Sequence, residues 1–294
     1  MCEEEVKYKV YHSHHRLDYI MQSKFAYSNF KPGGNTPIDK SACLMNSQNL
    51  IIIEYTDGVF EGQENPDWAK KTLEAVKKTL NPGDRKIFYV RPACSLVQQK
   101  DLRTYLESQG VTLLNCLPWS YNRRGYQDLL GIREEVRKST NLRPSEPGFI
   151  GTVSGTHGPH KVRSQKISCF DSKYQTKTRI YTKAWDSDFI QAVISHRLLL
   201  QPVGAGVRHN IYEGFMLGTP SVVEKTTYLS NMPSDIFVID DFVSDSTCDR
   251  ISKILTPGDS SFEEIRQKAM DFFETRMLPD AIIKDVIDQV DQLS

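Results

Sequence analysis

Positions 200 to 223 read Leu200-Gln201-Pro202-Val203-Gly204-Ala205-Gly206-Val207-Arg208-His209-Asn210-Ile211-Tyr212-Glu213-Gly214-Phe215-Met216-Leu217-Gly218-Thr219-Pro220-Ser221-Val222-Val223. An apolar stretch runs into the proline and glycine turn 202–206, a helix opens near Arg208, and Gly218 and Pro220 stop it before a second apolar run. This is one strand–helix–strand unit of a parallel sheet. In such a unit the first helical N–H groups and the positive dipole end face the C-terminal edge of the strand, where α/β sheets take their ligands. The stretch therefore predicts an anion site built on a glycine turn.

Two side chains sharpen that expectation. Arg208 stands in the first helical turn, where the dipole disfavours a cation, so a bound phosphate explains it better than helix stability does. Glu213 is set among Ile211, Tyr212, Phe215 and Met216, and a carboxylate near a core needs donors, which two ribose hydroxyls supply. Either residue alone reads equally well as a surface charge on an amphipathic helix; behind this turn, the pair favours a ligand. The stretch lacks the full Gly-x-Gly-x-x-Gly, so a dinucleotide fingerprint is not supported.

The same rhythm extends outward. Upstream lie a strand at 149–154, a helix at 159–170, a strand at 179–182, a helix at 187–195 and the strand 198–203. Downstream lie strands 221–224 and 236–239, then helices 262–275 and 279–293, separated at Pro279. Nearer the start, strands at 6–11, 50–55 and 86–90 alternate with helices at 66–80 and 97–109. Leu50-Ile51-Ile52-Ile53 is the continuous apolar run of a central parallel strand covered on both faces. After a helix ending near Lys138, the polar, proline-bearing stretch 139–148 suits neither helix nor strand, and it sets the predicted boundary. Two Rossmann-like domains are expected, 1–143 and 144–294, with the terminal helices packing back on the first.

Composition narrows the function. Among 294 residues, 37 Lys and Arg balance 37 Asp and Glu, so no net field draws nucleic acid or an anionic membrane, and an anionic ligand must be held locally. Six scattered cysteines without a Cys-x-x-Cys pair argue against a zinc knuckle or a disulfide framework and predict free thiols in a reducing compartment. An acidic start and no apolar run of ~20 residues predict a soluble, unprocessed cytoplasmic protein.

The residues Pro202, Gly204, Arg208, Glu213, Gly218 and Pro220 resemble the C-terminal domain of the exostosin-like glycosyltransferases. A second patch, Phe149-Ile150-Gly151-Thr152-Val153-Ser154-Gly155-Thr156-His157-Gly158-Pro159-His160-Lys161-Val162-Arg163, is similar to that family's strand, glycine loop and basic helix start. The likeness covers 149–242. It implies an α/β, GT-B-like fold of two Rossmann-like domains facing a cleft, a UDP-sugar donor, inversion at the anomeric carbon and no cofactor or essential metal. Membrane-anchored exostosins carry a spanning segment, so the chain looks more like a microbial or viral relative, with xylose as the expected sugar and a glycan as acceptor.

On that resemblance Arg208 neutralises the leaving diphosphate with Arg163 or Lys161, Glu213 fixes the ribose, and Tyr181 flanks the uracil. Ser154, Gly155 and Gly206 line the phosphate loops. Inversion needs a general base near the acceptor hydroxyl. Asp57, in the loop Thr56-Asp57-Gly58 behind the strand 50–55, is the choice; Glu54, Asp18 and Asp128 compete, and Asp57-Gly58 reads equally well as a plain turn.

Other patterns have simpler readings. Asp186-Ser187-Asp188 has the Asp-x-Asp spacing that suits manganese, yet it precedes a helix that it can cap. His12-Ser13-His14-His15-Arg16 lacks an acidic or thiolate cluster to complete a metal site and is expected in a cleft loop. Tyr121-Asn122-Arg123-Arg124 can stack on a sugar or stand as an exposed polar loop. A sugar-nucleotide epimerase or hydrolase on the same scaffold, or a non-catalytic nucleotide-sugar or glycan-binding module, would carry the same donor residues.

Overall fold

The run Asn49–Ile53 forms strand β3, and all five of its residues are buried. β-branched side chains on both faces suit this central position in a parallel sheet. The computed structural model describes residues 8–12, 26–29, 49–53, 70–71, 73–74, 77–78, 86–90, 96–115, 126–138, 147–149, 166–167, 193–202, 209–224, 232–239, 242, 246–256 and 258–294. The chain divides into one unit of Met1–Tyr121 with Leu278–Ser294 and a second of Asn122–Met277.

In the first unit β1 (Tyr8–His12), β2 (Ala26–Asn29), β3, β4 (Lys86–Val90) and β5 (Val111–Leu113) make one sheet in the order β2-β1-β3-β4-β5, every neighbour parallel. This doubly wound order reverses between β1 and β3, where His12 and Ile53 are register partners at the C-terminal edge. Leu50, Ile52 and Tyr89 on one face pack with Leu73 and with Leu102 and Leu106 of helix α1 (Leu96–Ser108). Gly110, at φ 72°, turns the chain from α1 into β5. The last helix, α6 (Pro279–Leu293), belongs to this unit. Asn115 donates its backbone N–H to Gln289 Oε1 at 2.7 Å, Tyr8 donates to Asp291, and Lys86 donates to the Ser294 carbonyl.

The second unit holds β6 (Pro147–Gly148), β7 (Leu198–Gln201), β8 (Ser221–Val223) and β9 (Val238–Ile239), again all parallel, in the order β6-β7-β8-β9. One face, with Leu198, Leu200, Val222 and Val238, packs on Phe149, Ile167, Ile251 and Phe262. The other face carries α3 (His209–Leu217). Phe215 of α3 stacks at 5.2 Å on Phe237 and at 6.3 Å, edge-on, on Phe272. Helix α2 (Tyr126–Lys138) lies in this unit, as does the polar stretch 139–148, because Arg133 and Arg137 of α2 bind groups of the unit's later helices. Two further helices, α4 (Ser246–Ile254) and α5 (Ser260–Phe272), follow. Asp259 caps α5 by accepting from the N–H groups of Ser261 at 2.8 Å and Phe262 at 3.4 Å.

Several expectations are revised. The helix predicted at 262–275 is α5 followed by a π-helical turn, Phe273–Met277, and the strand predicted at 236–239 opens with a 3-10 turn, Ser234–Ile236. Cys248 of α4 is disulfide-bonded, not the free thiol expected from cysteine spacing; bridging depends on spatial approach, which spacing does not show. The strand predicted at 179–182 lies outside the described residues.

Candidate functional site

The described site is built on the C-terminal edge of the second sheet, where Gln201 at the end of β7 pairs in register with Val223 at the end of β8. Between them runs α3, anchored firmly at its C-terminal end. Gly218, at φ 71°, closes the helix, and Thr219 donates its N–H to the Gly214 carbonyl at 2.7 Å. Arg137 Nε donates to the Met216 carbonyl at 2.8 Å and Arg266 Nε to the Gly218 carbonyl at 3.3 Å. Two cations thus satisfy the last carbonyls and complement the negative dipole end. At its other end α3 begins at His209, after β7 has ended at Gln201.

Close approach fixes this geometry. A Cβ on Gly214 would sit 2.5 Å from the Thr219 carbonyl oxygen, so only glycine lets the helix and the following turn meet. Arg137 is itself held: Glu274 Oε1 lies 2.8 Å from Arg137 Nη1 and 2.9 Å from Arg133 Nε, and Glu274 Oε2 accepts from Arg133 Nη2 at 3.1 Å. The π turn carries Glu274. Burial pushes the Glu274 carboxyl up, but the hydrogen bonds and charges of Arg133 and Arg137 outweigh it and hold the group below the ordinary glutamate value.

Glu213 is only 2% exposed, on a helix buried at every position from 211 to 217. That removes the reading of Glu213 as a surface charge. Beside it the Tyr212 hydroxyl is fully buried, and desolvation pushes its pKa up, so it stays protonated. At the end of β8, buried Glu224 forms an ion pair with Lys166. The sequence reading passed over this pair, although Lys166 follows Arg163 by three residues, the spacing of one helix face.

Of the predicted site residues, Glu213 is the one that the structure describes. Asp57, Arg208, Arg163, Lys161, Ser154, Gly155, Gly206 and Tyr181 lie outside the described residues, as do Glu54, Asp18, Asp186 and Asp188. Asp128 falls on α2, in the second unit. Among the described residues, no group of three or more metal-type ligands converges, and no helix is long and apolar enough to cross a membrane.

No protein-family model and no curated protein matches the chain. Solved structures do. One is an α-glucosyltransferase in complex with UDP and a 13-mer DNA containing an HMU base, with a TM-score of 0.51 at 12% identity, covering 97% of this chain and 100% of that one. Another is Anabaena HepE in complex with UDP and glucose, with a TM-score of 0.50 at 9% identity, covering 97% and 100%. A third, a mutant of S. aureus TarM in complex with UDP, reaches a TM-score of 0.44 at 10% identity. It covers 82% of this chain and 55% of its own, so this chain spans about half the length of that protein. At these identities the likeness is one of fold: the chain is α/β and GT-B-like, with two parallel-sheet units of the Rossmann kind.

Proposed function

We propose that the chain is an inverting glycosyltransferase that moves a sugar, xylose first among candidates, from a UDP-sugar to a glycan hydroxyl in the cytoplasm without a metal. The observation that carries this reading is Glu213, a buried carboxylate on the helix that rises to the crest of the second sheet. A carboxylate accepts hydrogen bonds, and a ribose diol offers two donors to it. The UDP held by the structural neighbours supports the choice of nucleotide, and the exostosin-like motif supports inversion.

In this reading the 144–294 domain holds the donor and the 1–143 domain the acceptor. Arg208, with Arg163 or Lys161, neutralises the diphosphate at the N-terminal end of α3, Ser154, Gly155 and Gly206 give the phosphates close backbone approach, and Tyr181 flanks the uracil. Asp57 takes the proton of the acceptor hydroxyl as its oxygen attacks the anomeric carbon from the face opposite the diphosphate, and UDP leaves. Asp57 follows β3, whose end at Ile53 lies at the switch point of the first sheet, the usual ligand edge of such sheets.

Thermal shift with UDP, GDP, ADP and a panel of UDP-sugars, with and without manganese, tests the proposal on wild type and Glu213→Gln. A shift with UDP or one UDP-sugar that needs no manganese and is lost in Glu213→Gln is the expected result. A shift that requires manganese overturns the metal-free mechanism, and no shift with any nucleotide overturns the transferase.

A further inference from the structure

We infer that Gln201 reads the transferred sugar in the donor site, a role that rests on the function proposed above. Gln201 ends β7 and is 5% exposed, yet among the described residues neither its Oε1 nor its Nε2 has a hydrogen-bond partner. A buried polar group left without a partner forfeits its hydration and gets nothing in return. A carboxamide orphaned at both atoms, at a sheet's ligand edge, is explained by a ligand that supplies the partners.

Strand alternation puts Gln201 on the face of Leu199, and a Cβ on Gly214 would touch Leu199 Cδ1 at 3.7 Å, so this face looks at α3. Two residues along a strand advance roughly 6.6 Å, the rise of four to five helical residues. Counting back from Gly214, the carboxamide stands level with the first turn of α3, which begins at His209. Ser221, whose Oγ is also buried without a partner among the described residues, is in register with Leu199 and lies below that level.

The chemistry of the carboxamide selects the ligand group. Nε2 requires an acceptor and Oε1 a donor. A diphosphate only accepts, whereas a hydroxyl does both. In the proposed site the ribose hydroxyls belong to Glu213 and the uracil lies against Tyr181, which leaves the hydroxyls of the sugar carried on the diphosphate.

The test is isothermal titration of wild type, Gln201→Met and Gln201→Leu with UDP, UDP-xylose and UDP-glucose. Both variants should bind UDP within about twofold of wild type and lose about tenfold on the sugar nucleotide that wild type prefers. Their ligand-free melting temperatures should match or exceed wild type, since the orphaned amide is gone. Unchanged UDP-sugar affinity overturns the inference. So does an equal loss on UDP and UDP-sugar, which marks a structural role, and so does a wild type that gains nothing from a sugar on UDP. A wild type that binds neither UDP nor UDP-sugar overturns the site reading and this inference together.

Discussion

The two sheets bury different chemistry. At the centre of the first, β3 is lined by Leu50, Ile51, Ile52 and Ile53, each 1% exposed or less, and Asn49 is the buried polar residue of that strand. The second buries Gln201, Glu213, Thr219, Ser221 and Glu224 on β7, α3, β8 and the adjoining turns. Both are parallel and doubly covered, so architecture does not demand the difference. Polar groups are costly to bury, and among the described residues they concentrate around α3, where the proposed donor site is built. The described strands of the first are shaped around an apolar core.

The contrast can be broken by mutation. Ile52→Ala should cost about 4 kcal/mol in urea unfolding, as a large-to-small change in a packed core does, while leaving the UDP response of the folded protein intact. Loss of UDP binding in that variant would merge the two roles. Gly214→Ala should cost about 3 kcal/mol, because the new Cβ meets a backbone oxygen that cannot swing away. It should weaken UDP binding as well, since α3 must shift. A stable Gly214→Ala that binds UDP normally would refute the rigid placement of α3.

Cys248→Ser removes a disulfide and should cost about 2 kcal/mol more in non-reducing than in reducing buffer, where only the burial of its hydroxyl remains. An equal cost in both would mean that the thiol packs and does not bridge. The smallest expected effect concerns pH. The folded Glu274 carboxyl titrates below its unfolded value, so its stabilisation is complete above the ordinary glutamate range and is lost as pH falls through the lowered value. Glu274→Gln should therefore flatten the acid limb of the melting-temperature profile and leave the neutral limb merely lower. An unchanged acid limb would show that Arg133 and Arg137 do not act through this carboxylate.

Legibility followed how local the signal was. The strand at 86–90 and the helix at 279–293 emerge with the predicted bounds, because an apolar run and a Pro at the first helical position are self-contained cues. β2, Ala-Tyr-Ser-Asn, went unread: it is short, and pairing with β1 makes it a strand. The helix α4, Ser-Thr-Cys-Asp-Arg-Ile-Ser-Lys-Ile, also went unread, since its buried face rests on Thr247, Cys248 and Ile251. Glu213 could be singled out as a carboxylate in an apolar helix. Gln201 could not, because a glutamine at the end of a strand is unremarkable until its burial and missing partners are known.

By itself, then, the sequence determined the parallel α/β class, the strand–helix–strand unit around α3, and the suspicion attached to Glu213, since all three rest on residues adjacent along the chain. The tertiary structure decided where helices α2 and α6 belong, that Cys248 bridges, and that Arg137, Arg266 and Glu274 anchor α3. The contacts that anchor α3 join residues 48 to 137 positions apart, and no local pattern encodes which of many charged or apolar partners will meet in the packed chain.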